Sequence, residues 1–223
     1  MRVCDTCDEA VAGTPDGATV LVGGFGMAGM PVELVDALVR QGADGLTVVS
    51  NNAGNGDTGL AALLATGRVR KVVCSFPRQA DSHVFDELYR TGRIELELVP
   101  QGNLAERLRA AGAGIGAFYC PTAVGTPLAE GRETREIDGR TYLLEYPIKG
   151  DLALVKAHTA DRMGNLVYRR TARNFGPLMA TAARTVAVQV ERVVPTGELD
   201  PEAVVTPGIY VDHVVAAGQE AAA

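Results

Sequence analysis

The residues that could do chemistry in this sequence are mostly uncharged. Four glycines fall within seven positions, at Gly23, Gly24, Gly26 and Gly29, after the β-branched run Thr19–Val22 and before Pro31. The run reads as a buried strand. Pro31 fits the first turn of a helix over 31–41, with apolar residues at 34, 35, 38 and 39. Glycines turn the backbone through positive φ and leave no Cβ between peptide N–H groups and a ligand. A helix N-terminus aimed into such a loop favours a phosphate, a carboxylate or a developing oxyanion. A second cluster lies in Asn51-Asn-Ala-Gly-Asn-Gly-Asp-Thr-Gly59, and Gln101 follows the run 94–99. Amide side chains hydrogen-bond without titrating. They suit holding a carboxylate or thioester oxygen and stabilising the charge that develops in acyl transfer.

Other chemistries find less support. Gly24-Phe-Gly-Met-Ala-Gly29 is a literal dinucleotide fingerprint, but that reading needs an acid at the tip of the next strand, where Asn51 and Asn52 stand. On its own the loop also reads as a tight strand-to-helix turn that binds nothing. His83, His158 and His213 are scattered, and no serine lies in a Gly-x-Ser-x-Gly elbow. Cys4-Asp-Thr-Cys7 is a lone pair with no second pair and no nearby His, so no metal site is expected. Among the carboxylates only Asp57 adjoins a candidate site. No nucleophile emerges.

The net charge of −6 and the pI near 5.1 argue against nucleic acid as a partner. A polyanionic ligand would need help from backbone amides or another chain. No apolar run opens the sequence and none reaches the ~20 residues of a membrane span. A cytoplasmic chain is therefore expected.

The elements that must position these clusters alternate between strand and helix. Strands are expected at 19–22, 46–50, 69–75, 94–99, 151–156 and 185–191, and helices at 5–13, 31–41, 60–66, 82–91, 104–111 and 177–183. Strand–helix–strand repetition predicts a parallel sheet, with both polar loops at strand carboxyl ends, where open α/β sheets bind ligands. Arg68, Arg70 and Lys71 read as a solvated edge. Between 118 and 150 the punctuation by Pro and Gly changes, and Asp138-Gly139 is a hairpin signal. That stretch reads as an antiparallel excursion on the main sheet. The expected fold is α/β, an open, mostly parallel sheet flanked by helices, with 1–223 as one domain and 216–223 as a frayed tail.

A longer match goes beyond the glycines. Asp16-Gly-Ala-Thr-Val-Leu-Val-Gly-Gly-Phe-Gly-Met-Ala-Gly-Met-Pro31 resembles the signature of the 3-oxoacid coenzyme A (CoA) transferases on the A (alpha) subunit. The likeness continues through Val48-Val-Ser-Asn-Asn-Ala-Gly54, Glu97-Leu-Val-Pro-Gln-Gly-Asn-Leu-Ala-Glu-Arg107, Ala113-Gly-Ile-Gly, Ala153-Leu-Val-Lys156, Gly164-Asn-Leu-Val-Tyr-Arg169 and Thr171-Ala-Arg-Asn-Phe175. The resemblance implies a CoA-transferase (NagB/RpiA-like) fold, with a CoA thioester as substrate and no permanently bound cofactor. It also implies a thioester between CoA and a glutamate in a Ser-Glu-Asn-Gly motif of a B subunit. That motif is absent from this sequence, so no catalytic nucleophile is expected here and a heteromer, A2B2, is. By the same resemblance Gly23, Gly24, Phe25, Gly26, Met27, Ala28 and Gly29 would face CoA, and Asn51, Asn52 and Gln101 the carboxylate or oxyanion. Asn55-Gly-Asp-Thr-Gly59 and Ser75-Phe-Pro-Arg-Gln-Ala-Asp-Ser-His83 are more similar to the 3-oxoadipate branch than to the acetoacetate branch. Arg78 is then a candidate for the distal carboxylate of a dicarboxylic acid, or else a surface residue. A non-catalytic CoA- or nucleotide-binding module is the alternative of another class.

Overall fold

The computed structural model describes residues 1–216. In chain order the elements are β1 (Arg2–Cys4), α1 (Cys7–Val11), β2 (Thr19–Val22), α2 (Val32–Gln41), β3 (Leu46–Val49), α3 (Leu60–Ala65), β4 (Val69–Cys74), α4 (His83–Arg90), β5 (Glu95–Leu98) and α5 (Gln101–Gly112). They continue with β6 (Phe118–Cys120), β7 (Thr134–Ile137), β8 (Arg140–Glu145), β9 (Gly150–Lys156), β10 (Thr159–Asp161), β11 (Leu166–Val167), α6 (Gly176–Ala182), β12 (Ala183–Val190), β13 (Arg192–Val194) and β14 (His213–Ala216).

Eight strands form one sheet in the order β1-β14-β12-β9-β2-β3-β4-β5, and every neighbouring pair is parallel. Helices cover both faces, which is why the central strands are apolar at nearly every position. Side chains alternate between the faces. Val20, Val22, Val48, Val72 and Leu154 pack with Leu34, Leu38, Leu60 and Phe85 of α2, α3 and α4. Leu21, Val49, Val73, Ala153 and Val155 pack with Leu104 and Leu108 of α5 and Met179 of α6. From β2 the sheet grows one way through β3, β4 and β5, and the other way through β9, β12 and β14. The order reverses between β2 and β9. Open α/β sheets bind ligands outside the strand ends at such a reversal.

Three expectations change. The stretch 118–150 does not join the main sheet: β6, β8 and β7 form an antiparallel sheet of their own, with Asp138-Gly139 at the β7–β8 turn. A buried ion cluster fastens that sheet to α5. Glu145, 1% exposed, accepts from Asn103 Nδ2 at 2.7 Å and lies 2.7 Å from a terminal guanidinium nitrogen of Arg132. Helix α5 begins at Gln101, three residues earlier than the apolar spacing indicates. Pro100 fixes the entry, and Leu104 N–H closes the first turn onto the Pro100 carbonyl at 2.8 Å. Helix α1 is limited to Cys7–Val11, with β1 before it as the sheet's edge. β10, β11 and β13 make a second small sheet. Of the expected tail, Ala216 ends β14, and the remainder lies outside the described residues.

Candidate functional site

Both polar loops stand at the carboxyl edge of the main sheet, the glycine loop after β2 and the asparagine loop after β3. The glycine loop is a small hairpin. Phe25 and Ala28 exchange both backbone hydrogen bonds, at 3.0 and 3.2 Å, around Gly26 and Met27. Its base is pinned by Gly23 N–H donating to the Leu154 carbonyl of β9 at 2.9 Å, across the sheet reversal. Its flank is clasped by Asn174. The Asn174 Oδ1 accepts from Gly24 N–H at 3.1 Å, and its Nδ2 donates to the Ala28 carbonyl at 2.9 Å and the Thr171 carbonyl at 2.8 Å. Gly29 is a necessity of this packing. Its φ is +75°, and a Cβ there would lie 2.4 Å from the Ala172 carbonyl oxygen.

This internal bonding narrows what the loop can offer. The amides of Gly23, Gly24, Phe25, Ala28 and Met30 all have acceptors within the protein. Among the described residues, those of Gly26, Met27 and Gly29 have none, and Phe25 and Met27 expose apolar side chains at the tip. The helix behind the loop is less open than the sequence suggests. Leu34 N–H, in the first turn of α2, donates to Oε1 of the fully buried Gln189 at 3.3 Å, and the Gln189 Nε2 donates to Glu33. A side-chain amide of β12 thus occupies part of the helix end expected to await an anion.

The second loop is bonded differently. Asn51 and Asn52 are 3% and 1% exposed. The Asn51 Oδ1 accepts from Ser75 Oγ at 2.7 Å and from Gln101 Nε2 at 2.9 Å, bringing together the ends of β3 and β4 and the first residue of α5. A carbonyl oxygen has two lone pairs, so this one is saturated. The rotamer is fixed and Nδ2, with no acceptor among the described residues, is a free donor. Gln101 keeps its Oε1 and a second N–H. Asn52 accepts from Gly54 N–H at 2.8 Å through Oδ1, while its buried Nδ2 and the buried Ser50 hydroxyl have no partner. A buried donor left unpaired costs roughly 1–3 kcal/mol. Such groups in folded proteins are paired with the protein, a ligand or an ordered water.

The remaining candidates are elsewhere or otherwise engaged. Arg78 is exposed and donates from Nε to Asp86 Oδ1 at 2.8 Å, and no hydrogen bond links it to Asn51, Asn52 or Gln101. Arg68 donates to the Val39 carbonyl of α2, Arg70 to the Gly45 carbonyl before β3, and Lys71 pairs with Glu95 and Glu97 of β5, so that cluster ties β4 and its approach to neighbouring elements. Burial pushes the Cys7 thiol up to about 11 and that of Cys74 to about 12, and it raises Cys4 as well, the reverse of what a reactive thiol needs. No group of three metal-ligating side chains occurs among the described residues.

Asparagine-loop partner Ser75, clasp Asn174 and buried Gln189 were not singled out from sequence. Ser75 and Asn174 do lie in segments shared with the transferase pattern. Gln189 shows only as one polar residue inside an apolar strand run, a weak signal.

Residues 4–217 match the coenzyme A transferase family, and the chain belongs to it. Among relatives, it is 67% identical over 221 residues to the A subunit of 3-oxoadipate CoA-transferase from Pseudomonas putida, covering 99% of this chain and 96% of that protein. It is 48% identical over 213 residues to the A subunit of succinyl-CoA:3-ketoacid coenzyme A transferase from Helicobacter pylori, covering 96% of this chain and 91% of that protein. Among solved structures, an Escherichia coli O157:H7 acyl-CoA transferase in a thioester complex with CoA superposes with a TM-score of 0.83 at 27% identity, over 96% of this chain and 49% of that longer one.

Proposed function

We propose that this chain is the A subunit of a CoA-transferase that moves CoA from succinyl-CoA to 3-oxoadipate, acting in the cytoplasm as an A2B2 heteromer. The observation that carries the reading is near-full-length identity of 67% to the A subunit of a 3-oxoadipate CoA-transferase. The amide donors of Asn51 and Gln101 support it. A glutamate of the B subunit would attack the succinyl-CoA carbonyl and release CoA thiolate. The thiolate would attack the resulting anhydride to give a glutamyl-CoA thioester and succinate. The 3-oxoadipate carboxylate would then reverse the sequence and leave as the acyl-CoA.

Residues of this chain would serve the oxygens in those steps. The donors of Asn51 and Gln101 would bind an acceptor carboxylate or the oxyanion of a tetrahedral intermediate, and being fixed beforehand they would need no reorganisation as charge develops. Asn52 would contribute its buried N–H. The 23–29 loop would contact CoA through the three unclaimed amides and the apolar tip. Arg78 would serve as a contact for a distal carboxylate, in competition with Asp86. We take 1–223 as one domain. No helix among the described residues is long and apolar enough to cross a membrane.

A second reading, transfer to acetoacetate, is favoured by the succinyl-CoA:3-ketoacid relatives at 48% identity. The test is transfer from succinyl-CoA to 3-oxoadipate and to acetoacetate, by the chain alone and with its B subunit. Activity only in the mixture, faster with 3-oxoadipate, is expected. Turnover by the lone chain would overturn the split site, and faster transfer to acetoacetate would overturn the choice of acceptor.

A further inference from the structure

Arg169, Arg170 and Arg173 lie within five residues on the segment that clasps the glycine loop. All three are exposed, and among the described residues no carboxylate oxygen comes within 4.0 Å of any of their guanidinium groups and no side-chain hydrogen bond engages them. Arg90, Arg162 and Arg184 also lack a carboxylate among the described residues but are not gathered in one segment as these three are. Arg2, Arg40, Arg93, Arg107, Arg109 and Arg132 each hold a carboxylate. In a chain of net charge −6, three like charges gathered without a counter-ion repel one another and lower the stability of the segment. Arg170 adds backbone strain, with φ at +52°, a conformation that a non-glycine residue adopts only at a cost.

Their placement relative to the loop is fixed by backbone and side-chain contacts. Ala172, between Arg170 and Arg173, abuts Gly29. Asn174, next to Arg173, bonds Gly24 and Ala28. The three arginines therefore flank a hairpin whose Gly26, Met27 and Gly29 amides have no acceptor among the described residues and whose tip exposes Phe25 and Met27. Cations, free amides and an apolar tip together suit a ligand with phosphates at one end and a long uncharged arm. Arginine matches phosphate oxygens bidentately.

We infer that Arg169, Arg170 and Arg173 bind the phosphate groups of the CoA thioester, its pyrophosphate and 3′-phosphate, while the glycine hairpin carries the pantetheine arm toward Asn51 and Gln101. The inference rests on the transferase reading and extends it to the nucleotide end of the substrate. It also gives the acidic chain its own means of attracting a polyanion.

The test compares two thioesters on the complex with the B subunit: succinyl-CoA, and the succinyl thioester of pantetheine, which carries no phosphate. In the variant Arg169→Gln/Arg170→Gln/Arg173→Gln, KM for succinyl-CoA should rise about tenfold or more, and its rise with salt should flatten. The loss should fall on succinyl-CoA and spare the pantetheine thioester and the KM for 3-oxoadipate. The variant Arg169→Lys/Arg170→Lys/Arg173→Lys, which keeps the charge, should recover much of the loss. An unchanged KM for succinyl-CoA would overturn the inference, as would an equal loss on both thioesters. So would failure of the glutamine variant to assemble with the B subunit by size exclusion, which would assign the cluster to the subunit interface. A wild-type complex that transfers no CoA would instead remove the transferase reading itself, a distinct result.

Discussion

The loops after β2 and β3 look alike in sequence, each dense in glycine and each at a strand's carboxyl end, but they spend their hydrogen bonds in opposite ways. In the 23–29 loop most peptide amides are consumed by the hairpin, by β9 and by Asn174, and side chains at the tip face solvent. In the 51–59 loop the Asn51 and Asn52 side chains are buried, and acceptors rather than donors are consumed. Glycine density therefore did not measure how many amides a loop can offer a ligand. The first loop is a shaped arm; the second holds fixed donors. Under the proposed function, this division would give substrate placement to one and charge stabilisation to the other.

The largest effect that would sharpen this division is on Asn51. Asn51→Ala should lower kcat of the assembled enzyme by about 10²–10³, roughly 3–4 kcal/mol of transition-state stabilisation, beyond the about 1–3 kcal/mol of stability lost with its two hydrogen bonds. If steady-state rates barely change, the asparagine loop is not the charge-stabilising half. Next comes Gly29→Val, which should destabilise the chain by about 3 kcal/mol, because a branched side chain must enter both a left-handed backbone and the space of the Ala172 carbonyl. Gly26→Ala is its control. With φ at +59° and open space around the position, about 1 kcal/mol is expected. Urea midpoints that coincide for the two would break the claim that the clasp shapes the loop.

Ser75→Ala should cost about tenfold in kcat. It should cost nothing further when combined with Asn51→Ala, since Ser75 acts by holding Asn51, and additive losses in that double-mutant cycle would show that it acts independently. The smallest effect is expected for Arg78→Ala, an exposed pair with Asp86 worth less than about 1 kcal/mol. A change in the KM for 3-oxoadipate of about threefold or less is expected, and a large, selective rise would make Arg78 the contact for the distal carboxylate.

What could be read from the sequence was what local pattern controls. The apolar runs at 19–22, 46–49 and 69–74 became parallel strands because burial on both faces demands such runs. The acidic–apolar alternation of β5 marked an edge, and the sheet ends there. Shorter strands escaped. β1, β10 and β13 have three residues each, too few to show a period, and they are strands because of their neighbours. The separate β6-β8-β7 sheet was hidden because its anchor, Glu145 bonded to Asn103, joins residues 42 apart in sequence. For the same reason Asn51 was visible as a candidate whereas its holder Ser75 was not. Residue type suggests a hydrogen-bonding group, but only packing reveals which of its atoms remain free.

The clasp also bears on when the protein can acquire its site during synthesis. β2 through α5, with Asn51, Ser75 and Gln101, form one continuous stretch that leaves the ribosome together. Asn174 follows Gly24 by 150 residues, and β1 must wait for β14, whose His213 sits beside Arg2. Pairings this distant are slow to form. A nascent chain can gather its donors early, but its glycine hairpin is shaped only after residues 171–174 emerge, and edge strand β1 is left unpaired until β14 is made. The interval exposes apolar surface and an open sheet edge, the usual hazards for aggregation, and the glycine hairpin is among the last features the molecule completes.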